Sequence, residues 1–94
     1  MLVYKATYKF VDGGVHAEVV DFPGVITCGP DLNSARASLG GALVDMAETS
    51  VLDGEPLPLP DPSATDPHAD LEEPIYLLLS AASRVAIVGH PVET

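Results

Sequence analysis

The sequence predicts an α+β domain, an antiparallel sheet with one helix packed on a face, in the order β-β-β-α-β. Three observations predict it. Large apolar residues recur at every second position over residues 2–10, a Pro-Gly turn stands at Asp21-Phe22-Pro23-Gly24, and helical apolar spacing follows Asp31.

The elements follow in order. Leu2, Tyr4, Ala6, Tyr8 and Phe10 alternate with Val3, Lys5, Thr7 and Lys9, the period of a half-buried strand with its aromatics inward. Asp12-Gly13-Gly14 supplies a hairpin turn. Residues 15–22 return antiparallel, with Val15, Ala17 and Val19 on one face and His16, Glu18 and Val20 on the other. In the turn after Phe22, Pro23 pre-sets φ at the second position and Gly24 takes the positive φ of a type II turn. Val25-Ile26-Thr27-Cys28 is a third, short strand, in which Cys28 is expected to be a small buried hydrophobe. Gly29-Pro30-Asp31 breaks it, and Asp31 caps a helix running to about Ser50. Leu32, Ala35, Leu39, Ala42, Leu43 and Met46 form its buried face. Gly40-Gly41 weakens that helix by about 1 kcal/mol per glycine relative to alanine. Close approach to the sheet, or to another chain, would give the pair a reason.

Residues 53–74 change character. Pro56, Pro58, Pro60, Pro62, Pro67 and Pro74 alternate with seven carboxylates and no lysine or arginine. Proline removes donors and fixes φ, which predicts an extended acidic loop of polyproline type. Ile75-Tyr76-Leu77-Leu78-Leu79 then reads as a strand covered on more than one side. Residues 84–88 read as a further strand, at an edge or pairing with another subunit, with a helix over residues 77–88 as the competing reading.

The 94 residues fit a single domain, 1–94, and a mean hydropathy of +0.26 is too apolar for a disordered chain. No apolar run approaches the roughly 18 residues of a membrane span, and the N-terminus lacks the pattern of a signal peptide. A cytoplasmic location is the expectation, and a lone cysteine agrees with a reducing compartment. The net charge of −10 repels phosphate backbones, which argues against direct nucleic-acid binding. It would attract a basic protein and speed encounter with it, besides maintaining solubility.

Chemistry is sparse. His16, His68 and His90 lack metal-ligand spacing, the serines lack a triad context, and the glycines form no phosphate-binding loop. Glu18 and Asp21 on the second strand with Asp45 and Glu48 on the helix are the one carboxylate set that a nuclease metal ion would need brought together. Asp45 and Glu48, three apart opposite an apolar face, read as a solvated face instead. The expectation is a protein that is not an enzyme and takes no cofactor or metal. Asp45 and Glu48, with Glu55, Asp61, Asp66 and Asp70 of the acidic loop, are the candidate partner-binding residues, chosen on charge. Phe22, Pro23, Gly24, Gly29 and Asp31 are the candidate structural residues.

The strand ending in Asp21-Phe22-Pro23-Gly24, then Thr27-Cys28-Gly29, then a helix carrying Leu32 and Ala35 in its first turns, resembles the HicB antitoxin family. Gly54-Glu55-Pro56-Leu57-Pro58-Leu59-Pro60 resembles the G-x-x-(L/I)-P-x-P pattern that follows the helix in that family. The resemblance covers about residues 2–60. It implies a truncated ribonuclease H-like fold without a working set of catalytic carboxylates. It also implies the antitoxin role in a type II toxin-antitoxin system: steric blocking of a basic HicA-type mRNA interferase over its RNA-binding surface and catalytic histidine. Self-association into a homo-oligomer is a further implication. Many HicB proteins carry a C-terminal DNA-binding domain; with the sequence reaching only Thr94, the expectation is a stand-alone domain that does not itself repress transcription. An orphan regulatory oligomer with another protein partner, or a residual metal-dependent nuclease of the same fold, are the alternatives.

Overall fold

The computed structural model of the chain describes residues 1–79 and 85–89. Its elements are β1 (Leu2–Val11), β2 (Gly14–Val19), β3 (Ile26–Gly29), α1 (Leu32–Leu52), β4 (Leu71–Leu79) and β5 (Val85–Gly89). They form one antiparallel sheet in the order β3-β2-β1-β4-β5, with α1 on one face. The α+β class holds, and the element order gains a strand: residues 85–89 are a strand at the sheet edge, not helix.

Alternation sorts the sheet into two faces. Tyr4, Ala6 and Tyr8 of β1, Val15, Ala17 and Val19 of β2, and Ile75 and Leu77 of β4 are buried. They form one core with Ala35, Leu39, Leu43 and Ala47 of α1. Phe10 continues that alternation but is 53% exposed. The pairing with β4 ends at Tyr8↔Leu71, so Phe10 stands beyond the last residue that has neighbours on both sides.

The Pro-Gly junction folds as expected. Val25 N–H donates to Phe22 O across the turn at 3.3 Å, and Gly24 has φ +92°. Phe22 is buried edge-on against Tyr4, with ring centroids 5.3 Å apart. Cys28 does not fill the core. In the register of β2 and β3, Thr27 and Gly29 stand opposite the helix-facing Ala17 and Val15. Cys28 and Ile26 therefore turn to the other face, where no layer covers them, and both are exposed. Gly29 is needed for a close approach: a Cβ there would lie 2.8 Å from Ala35 N. This lets the first turn of α1 sit directly on β3.

Asp31 caps α1, its carboxylate accepting from Ser34 N–H at 2.7 Å, which holds the carboxyl below its usual range. Met46, expected inward, is 37% exposed; Gly40 and Ala47 take the buried positions instead. The buried stripe is Ala35, Leu39, Gly40, Leu43 and Ala47.

The fourth strand starts at Leu71 rather than Ile75 and contains Pro74. Lys5, opposite Pro74, directs its N–H to Asp21 and its carbonyl to Val20 N–H, both on the β2 side. Pro74 therefore pairs with Lys5 across a position where β1 and β4 exchange no hydrogen bond, and its missing N–H costs the ladder nothing. Leu78 is 43% exposed, so the apolar run of β4 is covered on the helix side only.

Candidate functional site

The loop between α1 and β4 is the distinctive surface. It leaves the helix at Gly54, passes the end of β1 and crosses the sheet face that α1 leaves open. Eight hydrogen bonds join it to the sheet and its turns. Tyr4 OH, from the core side, donates to Pro58 O at 2.7 Å. Asp21 accepts Lys5 N–H with one carboxylate oxygen at 2.9 Å and Asp61 N–H with the other at 3.0 Å. Lys5 Nζ donates to Ala64 O at 2.6 Å and to Pro62 O at 3.3 Å. Glu72 of β4 accepts from Thr65 Oγ1 and Asp66 N–H. At the far end Asp70 bridges to β1, its N–H going to Tyr8 O and its carboxylate taking Phe10 N–H, both at 2.8 Å. Beneath the crossing is a cavity of about 280 Å³ lined by Val3, Tyr4, Lys5, Asp21, Asp61, Pro62 and Pro74.

The candidate partner-binding residues divide into two groups. Asp45 and Glu55 are exposed, and Glu48 is half-buried on α1. Asp61, Asp66 and Asp70 have internal work for their carboxylates: Asp61 accepts Ser63 N–H and Oγ, Asp66 accepts His68 N–H, and Asp70 anchors to β1. The Ser63 contacts hold the Asp61 carboxyl below its usual range, and Thr65 does the same for Glu72. Their free lone pairs still face water, since an ionised carboxylate accepts about four hydrogen bonds.

Glu18, Asp21, Asp45 and Glu48 do not meet. Glu18 is on the open sheet face opposite Ile26, Asp21 is committed to two backbone N–H groups, and Asp45 and Glu48 ride on α1. Among the described residues no three His, Cys, Asp or Glu side chains are grouped to hold a metal ion. No helix among them is long and apolar enough to cross a membrane.

One polar cluster was not visible in the sequence. Arg36 of α1 reaches Glu73 of β4 through two parallel contacts, Nε–Oε1 at 2.8 Å and Nη2–Oε2 at 3.2 Å. The Glu73 side chain is only 2% exposed, so this is a buried, bidentate pair. The Arg36 guanidinium lies 5.9 Å from the centre of the Tyr8 ring. The Tyr8 hydroxyl is buried and has no hydrogen-bond partner among the described residues. Burial first, and the Glu73 carboxylate second, push its pKa far above the usual phenol value. A local signal was absent because Arg36 and Glu73 stand 37 positions apart.

The balance of charge on the surface follows from these contacts. Over residues 31–73 Arg36 is the one basic residue, and its guanidinium is drawn inward to Glu73. Lys5 spends its ammonium on two loop carbonyls. The exposed carboxylates of α1 and the loop therefore have few cations beside them.

The chain matches no protein-family model and no curated protein.

Proposed function

We propose that the protein is a non-enzymatic, antitoxin-like binding module that covers the RNA-binding surface of a small basic mRNA-cleaving toxin of HicA type. The observation that carries this reading is the inward commitment of Lys5 and Arg36, which leaves α1 and the loop presenting carboxylates outward. A surface of that sign repels RNA and attracts the cationic face that an RNA-cleaving protein needs. Asp45, Glu48 and Glu55 are the outward contacts, and Asp61, Asp66 and Asp70 add charge from a loop held rigid against the sheet. Blocking is steric: the antitoxin occupies the face where RNA would lie. On this reading the protein works in the cytoplasm, where its partner meets mRNA.

An RNA-cleavage assay tests it. A basic toxin of this type, mixed with increasing amounts of the protein, should lose cleavage stoichiometrically. Raising salt from about 0.05 to about 0.5 M should weaken the complex at least tenfold, because exposed charge pairs are screened at that strength. Cleavage that persists at excess protein would sink the proposal.

A further inference from the structure

β1 outruns its neighbour β2. Their pairing extends from Val11↔Gly14 to Ala6↔Val19, where β2 ends. Lys5 is still served on that side: Val20 N–H donates to its carbonyl at 3.0 Å, and its own N–H donates to the Asp21 carboxylate at 2.9 Å. In an antiparallel sheet the backbone groups of successive residues point alternately to the two neighbouring strands. Val3, two residues before Lys5, therefore turns its N–H and carbonyl the same way as Lys5, past the end of β2. Among the described residues no strand runs alongside it there, while Tyr76 of β4 stands on its other side. The result is a notch in the sheet, and unpaired edge groups are a template for an incoming strand.

The cavity under the loop opens beside this notch. Val3, Pro62 and Pro74 give it apolar walls, and Asp21, Asp61 and Lys5 stand around them. Its volume of about 280 Å³ falls below the roughly 300–1,000 Å³ of a cofactor or drug-sized site, and suits a single side chain. Two carboxylates against one ammonium leave it net negative, and that ammonium already donates to Pro62 O and Ala64 O. Asp21 accepts two backbone N–H groups and Asp61 accepts from Ser63, whereas an ionised carboxylate can accept about four hydrogen bonds. Both keep capacity for a further donor. The walls are in place before any ligand arrives, held by Asp61 N–H on Asp21 and by Lys5 on Pro62, so docking has little to order.

We propose that this notch takes one arginine or lysine side chain from an extended, basic segment of the partner protein. A residue paired with the outward groups of Val3 projects its side chain on the sheet face that Val3 occupies, beside the cavity. The aliphatic stem then lies on Val3, Pro62 and Pro74, and the charged end reaches Asp21 and Asp61. Backbone bonds are few, because Val20 and Asp21 already close Lys5, so the cation supplies most of the selectivity. A neutral side chain of similar length gains the backbone bonds without the charge-assisted contacts. The source of the segment, a basic protein, rests on the function proposed above; the notch adds where such a protein is held.

A nuclear magnetic resonance titration of the isotope-labelled full chain with a blocked pentapeptide tests it. The probe carries valine and threonine around one central arginine, and its control carries glutamine there. In about 0.05 M salt the arginine peptide should bind with a Kd below about 2 mM and shift the amides of Val3, Asp21 and Asp61. The glutamine peptide should bind at least about fivefold more weakly. Val3→Lys sets a cation at the cavity in a position already 44% exposed, and Asp61→Asn removes a charge while Oδ1 can still accept from Ser63. Each should weaken the arginine peptide at least about fivefold, with the fold checked by circular dichroism. If Val3→Lys does not fold, Asp61→Asn decides alone. No binding up to about 10 mM, equal binding of the two peptides, or a folded variant that binds like the wild type overturns the site. Because the probe is a free peptide, such a failure leaves the toxin proposal standing. A toxin that escapes inhibition while the peptide binds sinks the toxin proposal and leaves the notch.

Discussion

The sheet is covered on its two faces by two different kinds of material. On one face α1 packs apolar side chains into a core of fully buried Ala6, Ala17, Leu39, Leu43, Ile75 and Leu77, with the Arg36–Glu73 ion pair set into it. On the other, residues 61–70 cross without helix or strand, held by carboxylates and a lysine. The first cover is held by the removal of apolar surface from water, which pH and salt barely change. The second depends on ionised groups accepting backbone N–H, so it answers to pH. The same carboxylates that fix the loop also make it acidic outward, so its structure and its proposed recognition draw on one set of residues.

Removing a partner from the ion pair should have the largest effect. Arg36→Ala would leave a carboxylate 2% exposed and unpaired beneath the helix, at a cost of about 3–5 kcal/mol, read as a loss of unfolding free energy in urea. That is a large share of the roughly 5–15 kcal/mol available to a small domain. A loss below about 1 kcal/mol would mean that the helix face does not depend on this pair.

On the loop face, Asp21→Ala would orphan the N–H groups of Lys5 and Asp61 at once, for a smaller loss of about 1–3 kcal/mol. The stronger signature is local. Amide exchange at residues 61–66 should quicken while amides of α1 stay protected, and equal acceleration on both faces would mean that the two covers are coupled.

Acid should separate the faces without mutation. Asp61 and Glu72 have folded pKa values below their unfolded ones, so their contribution is complete above about pH 5 and is lost as pH falls through and below 4. Amide exchange followed from pH 6 to 3 should show the loop opening before the helix core. The smallest effect belongs to Cys28→Ser: Cys28 is exposed on β3, so the change should shift stability by less than about 0.5 kcal/mol, whereas a cysteine filling core would cost more.

The helix face was legible in the sequence because its signals are local and periodic. Tyr4, Ala6, Tyr8, Val15, Ala17 and Val19 alternate, Asp31 caps, and Pro23-Gly24 turns, each within a few residues of its partner. The misreadings have one cause. Cys28, Phe10 and Met46 are apolar residues in the right element whose exposure depends on which neighbour reaches them, and that is decided by register and helix rotation. The loop face was legible only in composition. Its prolines announced an extended chain, but Asp21 holding Asp61, Lys5 reaching Ala64 and Glu72 taking Asp66 N–H join residues that only the finished sheet brings together. β4 starting at Leu71 escaped for a related reason. Pro74 looks like a strand breaker until its position in the ladder is known.

The account rests on the outward carboxylates being available for a partner while the inward ones hold the fold. The most direct test is the affinity of a basic HicA-type toxin for the variant carrying Asp45→Asn, Glu48→Gln and Glu55→Gln, measured by calorimetry beside the wild type at low salt. The account predicts binding at least about tenfold weaker with an unchanged melting temperature, because none of the three carboxylates makes a contact that the fold requires. Unchanged affinity in a folded variant would contradict it.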